Sequence, residues 1–438
     1  MSARKPELLF LCQNLPFPPD GGALIRSFHT LRLLSEEFDV TALCFFRKAS
    51  RASEEAVRLG KEGLGKLART VEVFPIPQEE SRFRFLIDHL KSILGGRAYT
   101  RWAYESREFR NRLEHLVSTR DFSVIHLDSL DLVGYIPALE GHQMVVAHHN
   151  VESSLLARRA DSEDAFRRRY LYLQARFTAR EERTWCPRVA LNVAVSNEDQ
   201  ETLASLAPGS RIVVAPNGVD TTAFLPTTQE PDQDIVFVGG HTWFPNRDGM
   251  EYFADSILPL IRRTHPRVRV TWVGRAAQPV VEAMAAKGVQ MTGYVDDIRP
   301  FVARAKCFIV PLRVGGGTRL KILDAWALGK ALVSTSAGCE GLIRKDGENL
   351  LIADSPQEFA SAVGRVLDDE NLRRLLERGG RTTVEKHYDW STIGHSMLKE
   401  YRTLIQPSGV SNDRDRPSER SPSSRSSLEA AIRPRGSA

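Results

Sequence analysis

Two cations and a carboxylate follow a run of three glycines in the second half of the chain. The stretch contains Gly315, Gly316, Gly317, Thr318, Arg319, Lys321 and Asp324. Glycine lets a ligand approach the backbone, and a helix start attracts anions. The stretch therefore predicts a diphosphate site beside Arg319 and Lys321, with Asp324 one turn further on to accept hydrogen bonds from two ribose hydroxyls. The alternative is a flexible turn before an ordinary amphipathic helix with solvated charges.

A strand and a helix are needed to position these side chains. Residues Lys306 to Val310 form a short apolar run typical of a buried strand, and apolar residues recur at helical spacing after Thr318. Thr318 is the predicted cap of that helix, because its hydroxyl can accept a backbone hydrogen bond there. The pattern is strand, glycine loop and helix.

A second glycine pair lies near the N-terminus. Gly21 and Gly22 follow the apolar run Glu7 to Cys12 and precede a predicted helix from Leu24 to Glu37, with Arg26 one turn into it. Parallel α/β sheets bind ligands where a strand passes into its helix. A tight turn imposed by the neighbouring prolines is the alternative interpretation.

Two adjacent histidines end another predicted strand. His148 and His149 directly follow Met144 to Ala147, and such strand ends face the cleft of a doubly wound sheet. A histidine there can hydrogen-bond a sugar or act as an acid or base, since its pKa is near neutral. We assign that candidate role to His149, against the alternative of a structural histidine.

The stretch from Leu155 to Trp185 is predicted to be helical and basic. Its arginines alternate with aromatic and aliphatic residues, as they do in helices that lie on anionic lipid. Acidic residues in the same stretch favour a solvated helix with one apolar stripe toward the core. Both interpretations stay open at this stage.

Composition limits the function classes. The chain has 438 residues, 42% hydrophobic and 26% charged, which fits a globular protein of two or three domains. No apolar run is long enough to span a bilayer and no signal peptide is evident, so we expect a cytoplasmic protein. The five cysteines are scattered, which predicts reduced thiols. A net charge of +5 is too small to indicate nucleic-acid binding.

Predicted strands and helices alternate in two series. The first series ends near Pro216-Asn217-Gly218, and after a polar linker the second begins at Ile235. The fold class is therefore α/β, with two doubly wound Rossmann-like domains at residues 1–220 and 221–389. Residues 390–405 are predicted to form a helix that packs back on the first domain, and 406–438 to form a disordered tail.

Seven short sequence blocks occur in the same order as in the retaining glycosyltransferases of family four, so the chain resembles that family. Its members have the GT-B architecture of two Rossmann-like domains around a cleft. The blocks are Pro16 to Gly22 with Arg26, His149 to Ser153, Val195-Ser196, Pro216 to Asp220, Phe237 to Gly240 with Pro245-Asn246, Gly293 to Asp297, and Gly315 to Gly329. The resemblance covers residues from about 7 to 390.

The resemblance implies a role for each matching position. Asp324 matches the ribose carboxylate, Arg319 and Lys321 the cations on the donor diphosphate, and His149 the histidine near the transferred sugar. The remaining implied donor-binding residues are Gly21, Gly22, Asn217, Gly240, Gly315, Gly316, Gly317 and Thr318.

The sequence departs from the family pattern in two regions, the segment with the glycine run and the loop after the first strand of the second domain. Gly316 replaces a glutamate that normally precedes the ribose carboxylate, and Asp324 itself replaces a glutamate. The usual arginine and lysine after the first strand of the second domain are also missing, with only Arg247 nearby. We infer that Arg319 and Lys321 replace that pair as the cations that contact the donor diphosphate, as in a glycine-rich subgroup of similar sequences.

The resemblance implies a metal-independent, retaining transfer of sugar from a nucleoside-diphosphate sugar to a glycan or lipid-linked acceptor, as in polysaccharide biosynthesis. No cofactor and no nucleic-acid partner are expected, and peripheral contact with the inner membrane face stays open. Two other functions remain: an epimerase of nucleotide sugars with the same architecture, and a non-catalytic protein that binds nucleotide sugars.

Overall fold

The computed structural model describes residues 4–47, 54–161, 163–227, 230–314 and 319–405. A first sheet is built from seven parallel strands. They are β1 (Glu7–Cys12), β2 (Asp39–Phe46), β3 (Thr70–Pro75), β4 (Val124–Leu127), β5 (Met144–Ala147), β6 (Leu191–Ala194) and β7 (Ile212–Val214). Their order across the sheet is β3-β2-β1-β4-β5-β6-β7. The order reverses between β1 and β4, where doubly wound sheets open a binding crevice.

A second sheet has six parallel strands. They are β8 (Gln233–Val238), β9 (Val270–Val273), β10 (Val289–Met291), β11 (Ala305–Val310), β12 (Ala331–Ser334) and β13 (Leu351–Ile352). Their order is β10-β9-β8-β11-β12-β13, so the order reverses between β8 and β11. The predicted Gly240 follows β8 in the sequence, and the predicted glycine run, which follows β11, lies outside the described residues. The predicted α/β class with two doubly wound parallel sheets is confirmed.

Helices connect the strands and cover the sheets. They are α1 (Gly22–Glu37), α2 (Glu54–Leu64), α3 (Arg82–Gly95), α4 (Tyr99–Ala103), α5 (Arg107–Thr119), α6 (Glu152–Asp161), α7 (Ala165–Trp185), α8 (Asn197–Leu206), α9 (Phe244–Tyr252), α10 (Leu258–Thr264), α11 (Gln278–Ala286), α12 (Arg299–Ala303), α13 (Leu320–Ala327), α14 (Pro356–Asp368), α15 (Glu370–His387) and α16 (Trp390–Ile405). Short 3₁₀ turns occur at Pro77–Glu80, Leu130–Leu139 and Cys186–Arg188, and a π-helical turn at Phe253–Ile257 joins α9 to α10.

The central strands are apolar because they are covered on both faces. In β1, residues 8 to 12 are completely buried, and in β11 residues 307 to 310 are buried in the same way. Such continuous apolar runs are typical of parallel strands between two layers of helices. This is why the sequence identified these strands well.

The predicted continuous helix from Leu155 to Trp185 is wrong, because the structure has two helices there. Helix α6 ends at Asp161 and α7 begins at Ala165. The Asp164 side chain accepts hydrogen bonds from the backbone N–H groups of Phe166 and Arg167, 3.1 Å each. An aspartate cap of this kind starts a new helix.

The last helix packs on the first sheet although it follows the second in sequence. Trp390, Ile393 and Tyr401 of α16 belong to the same apolar cluster as residues of β1 and β2. Arg402 of α16 also forms an ion pair with Glu37 at the end of α1. The predicted tail at 406–438 lies outside the described residues.

The five cysteines are free and buried, as predicted. Within the part of the chain that the structure describes, no helix has both the length and the apolar character needed to cross a bilayer.

Candidate active site

Arg319 directly precedes the first residue of α13, and its side chain is only 4% exposed. The guanidinium lies 5.8 Å from the centre of the Trp243 ring, and Nη2 is 3.5 Å from the backbone oxygen of Ala337. Burial lowers the pKa of Arg319 to about 10, and the negative charge of Glu340 partly opposes that shift. Arg319 is therefore a desolvated cation at a helix N-terminus.

Lys321 is a second cation on the first turn of the same helix. Its Nζ donates a hydrogen bond to Oδ1 of Asn246 at 2.6 Å and lies 4.3 Å from the centre of the Phe237 ring. Burial, followed by the charge of Arg319, holds the pKa of Lys321 well below its usual value. An anion beside Lys321 would relieve both effects.

Asp324 lies one turn further along α13 and is mostly buried. Burial raises the pKa of its carboxyl group to about 7. Within the described ranges the carboxylate makes no hydrogen bond or ion pair with the protein. Its acceptor oxygens are therefore available to the hydroxyl groups of a ligand.

The first domain approaches this helix with the predicted pair Gly21 and Gly22. Gly21 precedes α1 and Gly22 is its first residue, where a β-carbon would lie 3.5 Å from Cδ1 of Leu320. The N-termini of α1 and α13 are thus close together, and among the described residues neither Gly21 nor Arg319, the residues before these helices, makes a side-chain capping hydrogen bond. A helix N-terminus favours an anion, so the region between the two N-termini is a candidate anion site.

Gly240 belongs to the same group of residues through Asn246. The Asn246 side chain accepts from Lys321 through Oδ1 and donates through Nδ2 to the backbone oxygen of Gly240 at 3.0 Å. The predicted Gly315, Gly316, Gly317 and Thr318 lie outside the described residues. The structure therefore brings Gly22, Gly240, Arg319 and Lys321 together from three separate parts of the chain.

His149 lies at the carboxyl end of β5, in a different group. Its Nε2 donates to the backbone oxygen of Asp128 at 2.7 Å and lies 3.6 Å from the Asp128 carboxylate. Burial alone would raise the pKa of Asp128, but hydrogen bonds from His126 and His149 outweigh it and hold that pKa below its usual range. A permanent negative charge thus lies beside the His149 ring.

Asn217 contacts Arg26 rather than the cations of α13. Arg26 is buried, and its Nη1 donates to Oδ1 of Asn217 at 3.2 Å and to the backbone oxygen of Ala215 at 2.9 Å. Burial lowers the pKa of Arg26 to about 10, and the charge of Asp128 partly opposes this shift. Asn217 therefore orients a cation of the first domain.

Three residues of these groups were missed by the sequence analysis as site residues. Asp128 follows β4 directly, so its position at a strand end could have identified it as a candidate site residue. Asn246 is part of a matching block but was given no role there. The Tyr401 hydroxyl lies 2.6 Å from Nδ1 of His126. Because Tyr401 is on the last helix, 275 residues away in sequence, no local sequence pattern indicates this contact.

A cavity of about 230 Å³ lies elsewhere along the boundary between the two sheets. It is lined by residues of both, including Ser196, Gly341 and Tyr388, and by none of the predicted site residues in the described ranges. Its location shows that the two domains also meet away from the cations of α13.

Two protein-family models match consecutive parts of the chain. Residues 21–223 match the family model described as "Glycosyltransferase Family 4", and residues 232–369 match the one described as "Glycosyl transferases group 1".

Two curated relatives match over shorter stretches. The lipopolysaccharide core biosynthesis glycosyltransferase LpsE of Rhizobium meliloti is 38% identical over 104 residues, covering 22% of this chain and 29% of that protein. An uncharacterized 44.6 kDa protein in the cps region of Klebsiella pneumoniae is 25% identical over 177 residues, covering 38% of this chain and 45% of that protein. The matched stretches span less than half the length of each relative.

Among solved structures, Alr3699/HepE of Anabaena in complex with UDP is similar with a TM-score of 0.63. The two chains are 16% identical, and the match covers 91% of this chain and 100% of the other. At that identity the likeness establishes the fold, which is the GT-B architecture expected from the sequence.

Proposed function

We propose that this chain, which matches the family-four glycosyltransferase model over residues 21–223 and the group 1 glycosyl transferase model over residues 232–369, transfers a sugar from a nucleoside-diphosphate sugar. The acceptor is a glycan or a lipid-linked sugar. The transfer proceeds with retention of the anomeric configuration and without a metal ion. This function places the protein in the cytoplasm, with its acceptor at the inner membrane face.

The observation that carries the proposal is the pair of cations at the start of α13. Lys321 is mostly buried against an aromatic ring, an amide and a second positive charge. A buried cation is costly unless an opposite charge accompanies it. A diphosphate bound between the N-termini of α1 and α13 would supply that charge.

The same groups suit the chemistry of sugar transfer. Breaking the bond between the anomeric carbon and the diphosphate builds negative charge on the leaving phosphate and an oxocarbenium-like sugar. Arg319, Lys321 and the helix N–H groups stabilise the leaving group from fixed positions. Asp324 accepts hydrogen bonds from the ribose, and His149 contacts the transferred sugar from the first domain.

The relatives indicate which donor and acceptor to test first. The Anabaena protein was crystallised with UDP, so UDP is the first nucleotide to test. The name of the Rhizobium protein refers to the lipopolysaccharide core, so lipid-linked glycans are the first acceptors to test.

A binding experiment tests the site directly. We expect a nucleoside diphosphate, UDP first with GDP and ADP beside it, to raise the melting temperature of the protein in proportion to its affinity. Arg319→Ala and Lys321→Ala should each lose on the order of a hundredfold or more in turnover. Arg313→Ala is the control, since Arg313 forms an exposed ion pair with Asp248. Normal turnover by both site variants would refute the assignment.

Product analysis separates transfer from the two rival functions. Incubation with donor alone would yield a new sugar nucleotide if the protein were an epimerase. Binding without transfer to any acceptor would indicate a non-catalytic protein. NMR of the new linkage reports whether configuration is retained, and activity in EDTA reports whether a metal is needed.

A further inference from the structure

Helix α3 is oriented with polar residues inward and apolar residues outward. Asp88 and Ser92 are completely buried, although such residues normally face water. The helix exposes six large apolar side chains. Phe85, 46% exposed, lies outside the group, and the other five lie on the side opposite Asp88 and Ser92 and are called the α3 stripe. They are Phe83 (72% exposed), Leu86 (64%), Leu90 (56%), Ile93 (46%) and Leu94 (78%).

The stripe is continuous along one side of the helix. Its members are three or four residues apart in sequence, or directly adjacent at the end, which places them within an arc of about 100°. Exposed apolar residues scattered singly need no explanation, but a contiguous group marks a surface that contacts another apolar phase.

Buried hydrogen bonds fix this orientation. The Asp88 carboxylate accepts from Nε of Arg84 at 2.9 Å. Ser92 Oγ accepts from Nε2 of Gln174 on α7 at 2.9 Å and donates to the backbone oxygen of Arg97 at 2.7 Å. Nη2 of Arg84 also donates to the backbone oxygens of Trp102 at 3.4 Å and Glu105 at 3.3 Å. Rotating α3 to bury the stripe would break these bonds and the bond between Ser92 and Gln174, and would leave polar groups unsatisfied, so the stripe stays outside.

Positive charge borders the stripe. Arg82 and Lys91 are exposed on α3, whereas Asp88, its only acidic residue, is buried and paired. The adjacent helix α7 exposes Arg169 on its first turns, and also Arg167, which forms ion pairs with Glu163 at 3.5 Å and Asp164 at 3.6 Å. It meets α3 through a hydrogen bond between Tyr170 and His89.

We propose that the α3 stripe inserts into the headgroup region of an anionic lipid bilayer. An exposed apolar face bordered by arginine and lysine is the arrangement of helices that lie in a membrane interface. The apolar side chains supply the favourable transfer from water, and the basic residues contact anionic headgroups. This inference concerns a surface outside the candidate active site and does not depend on the reaction.

Vesicle flotation of the full chain tests the proposal. The probes are vesicles of phosphatidylcholine alone and of phosphatidylcholine with phosphatidylglycerol, at low and high salt. We expect binding to the anionic vesicles that weakens at high salt, and a loss of at least about tenfold in the partition coefficient for Leu86→Glu with Leu90→Glu. The control is Leu225→Glu with Leu375→Glu, two leucines that are 58% and 46% exposed and lie outside α3.

The outcomes are distinct. Selective loss of vesicle binding in the α3 variant, with an unchanged melting temperature, supports the proposal. Absence of vesicle binding by the unmodified chain, or equal loss in the control variant, overturns it. A dimer that dissociates only in the α3 variant, measured by light scattering, would identify a second copy of the chain as the occupant and also overturn it.

Discussion

His149 donates from Nε2 to the backbone oxygen of Asp128 at 2.7 Å. A carbonyl oxygen can only accept, so the neutral ring carries its proton on Nε2 and its free lone pair on Nδ1. Asp128 in turn accepts hydrogen bonds from Ser27 and from Cys12 Sγ, the latter at 3.4 Å. The His149 ring is thus held in one tautomer by a buried carboxylate residue at the switch point of the first sheet.

We predict that His149 contributes to turnover rather than to nucleotide binding. His149→Gln retains a donor near Asp128 but removes the ring nitrogen Nδ1, and His149→Ala removes both. Each should lower kcat by about 10- to 100-fold, while calorimetry gives a UDP dissociation constant within about twofold of the original. His115→Ala on the exposed face of α5 is the control. Full turnover by His149→Gln would contradict a role for Nδ1.

Lys321 should take up a proton when a diphosphate binds. Burial and the charge of Arg319 lower its pKa in the free protein, and a nearby anion raises it again. Calorimetry of UDP binding in two buffers of different ionisation enthalpy, repeated at several pH values, measures the uptake. It should disappear in Lys321→Arg, since arginine stays charged.

Lys330→Arg is the matched control for that measurement. Burial also lowers the pKa of Lys330, but its Nζ donates to the backbone oxygens of Ala303 and Ala305. Its protonation should not respond to the nucleotide. Equal uptake by the Lys321→Arg variant and the original protein would contradict the placement of the diphosphate.

Asp324 should make the free protein less stable as the pH rises. Its pKa is about 7 in the folded protein and near 4 in an unfolded chain, because burial disfavours the carboxylate. The stability that protonated Asp324 contributes at low pH is therefore lost as the pH rises through about 7. Asp324→Asn should raise the free energy of unfolding by about 1–3 kcal/mol at pH 8 and by less at pH 5, measured by urea denaturation. An equal effect at both pH values would argue against this ionisation.

The same substitution should weaken recognition of the ribose. Asp324→Asn is expected to lose about tenfold in affinity for UDP, because a charged acceptor hydrogen-bonds a hydroxyl more strongly than a neutral one. The loss of affinity that Asp324→Asn causes should be smaller for 2′-deoxy-UDP, since that nucleotide lacks one of the two ribose hydroxyls. Isothermal calorimetry with both nucleotides measures the ratio, and equal losses would place the 2′-hydroxyl away from Asp324.

Tyr401 should stabilise the first domain through His126. The Tyr401 hydroxyl is buried and lies 2.6 Å from Nδ1 of His126. Tyr401→Phe leaves that nitrogen unsatisfied and should lower the free energy of unfolding by about 1–3 kcal/mol in urea denaturation. Tyr172→Phe, whose hydroxyl donates to Asp161 at the surface, should change it by less than about 0.5 kcal/mol. Similar changes in the free energy of unfolding for both variants would show that the buried contact stabilises the protein no more than the surface contact does.

Local patterns were sufficient for the strands and for several of the polar residues near their ends. Strands such as β1 and β11 were identified because parallel strands covered on both faces are continuously apolar. Gly22, Lys321 and His149 were singled out because they follow such strands or begin the next helix. Asp128 has the same position and could have been identified in the same way.

The sequence by itself therefore determined the two parallel α/β domains and which segments follow the strands at the switch points of the sheets, since hydrophobic periodicity is a local property of the chain. Only the tertiary structure decided which side chains meet. Lys321 pairs with Asn246, 75 residues away, and Tyr401 with His126, 275 residues away. It also decided that α3 turns its apolar side outward, because Arg84 and Ser92 form hydrogen bonds with other parts of the chain that hold the helix in that orientation. Contacts between distant residues depend on how helices and sheets pack, and no local spacing encodes that packing.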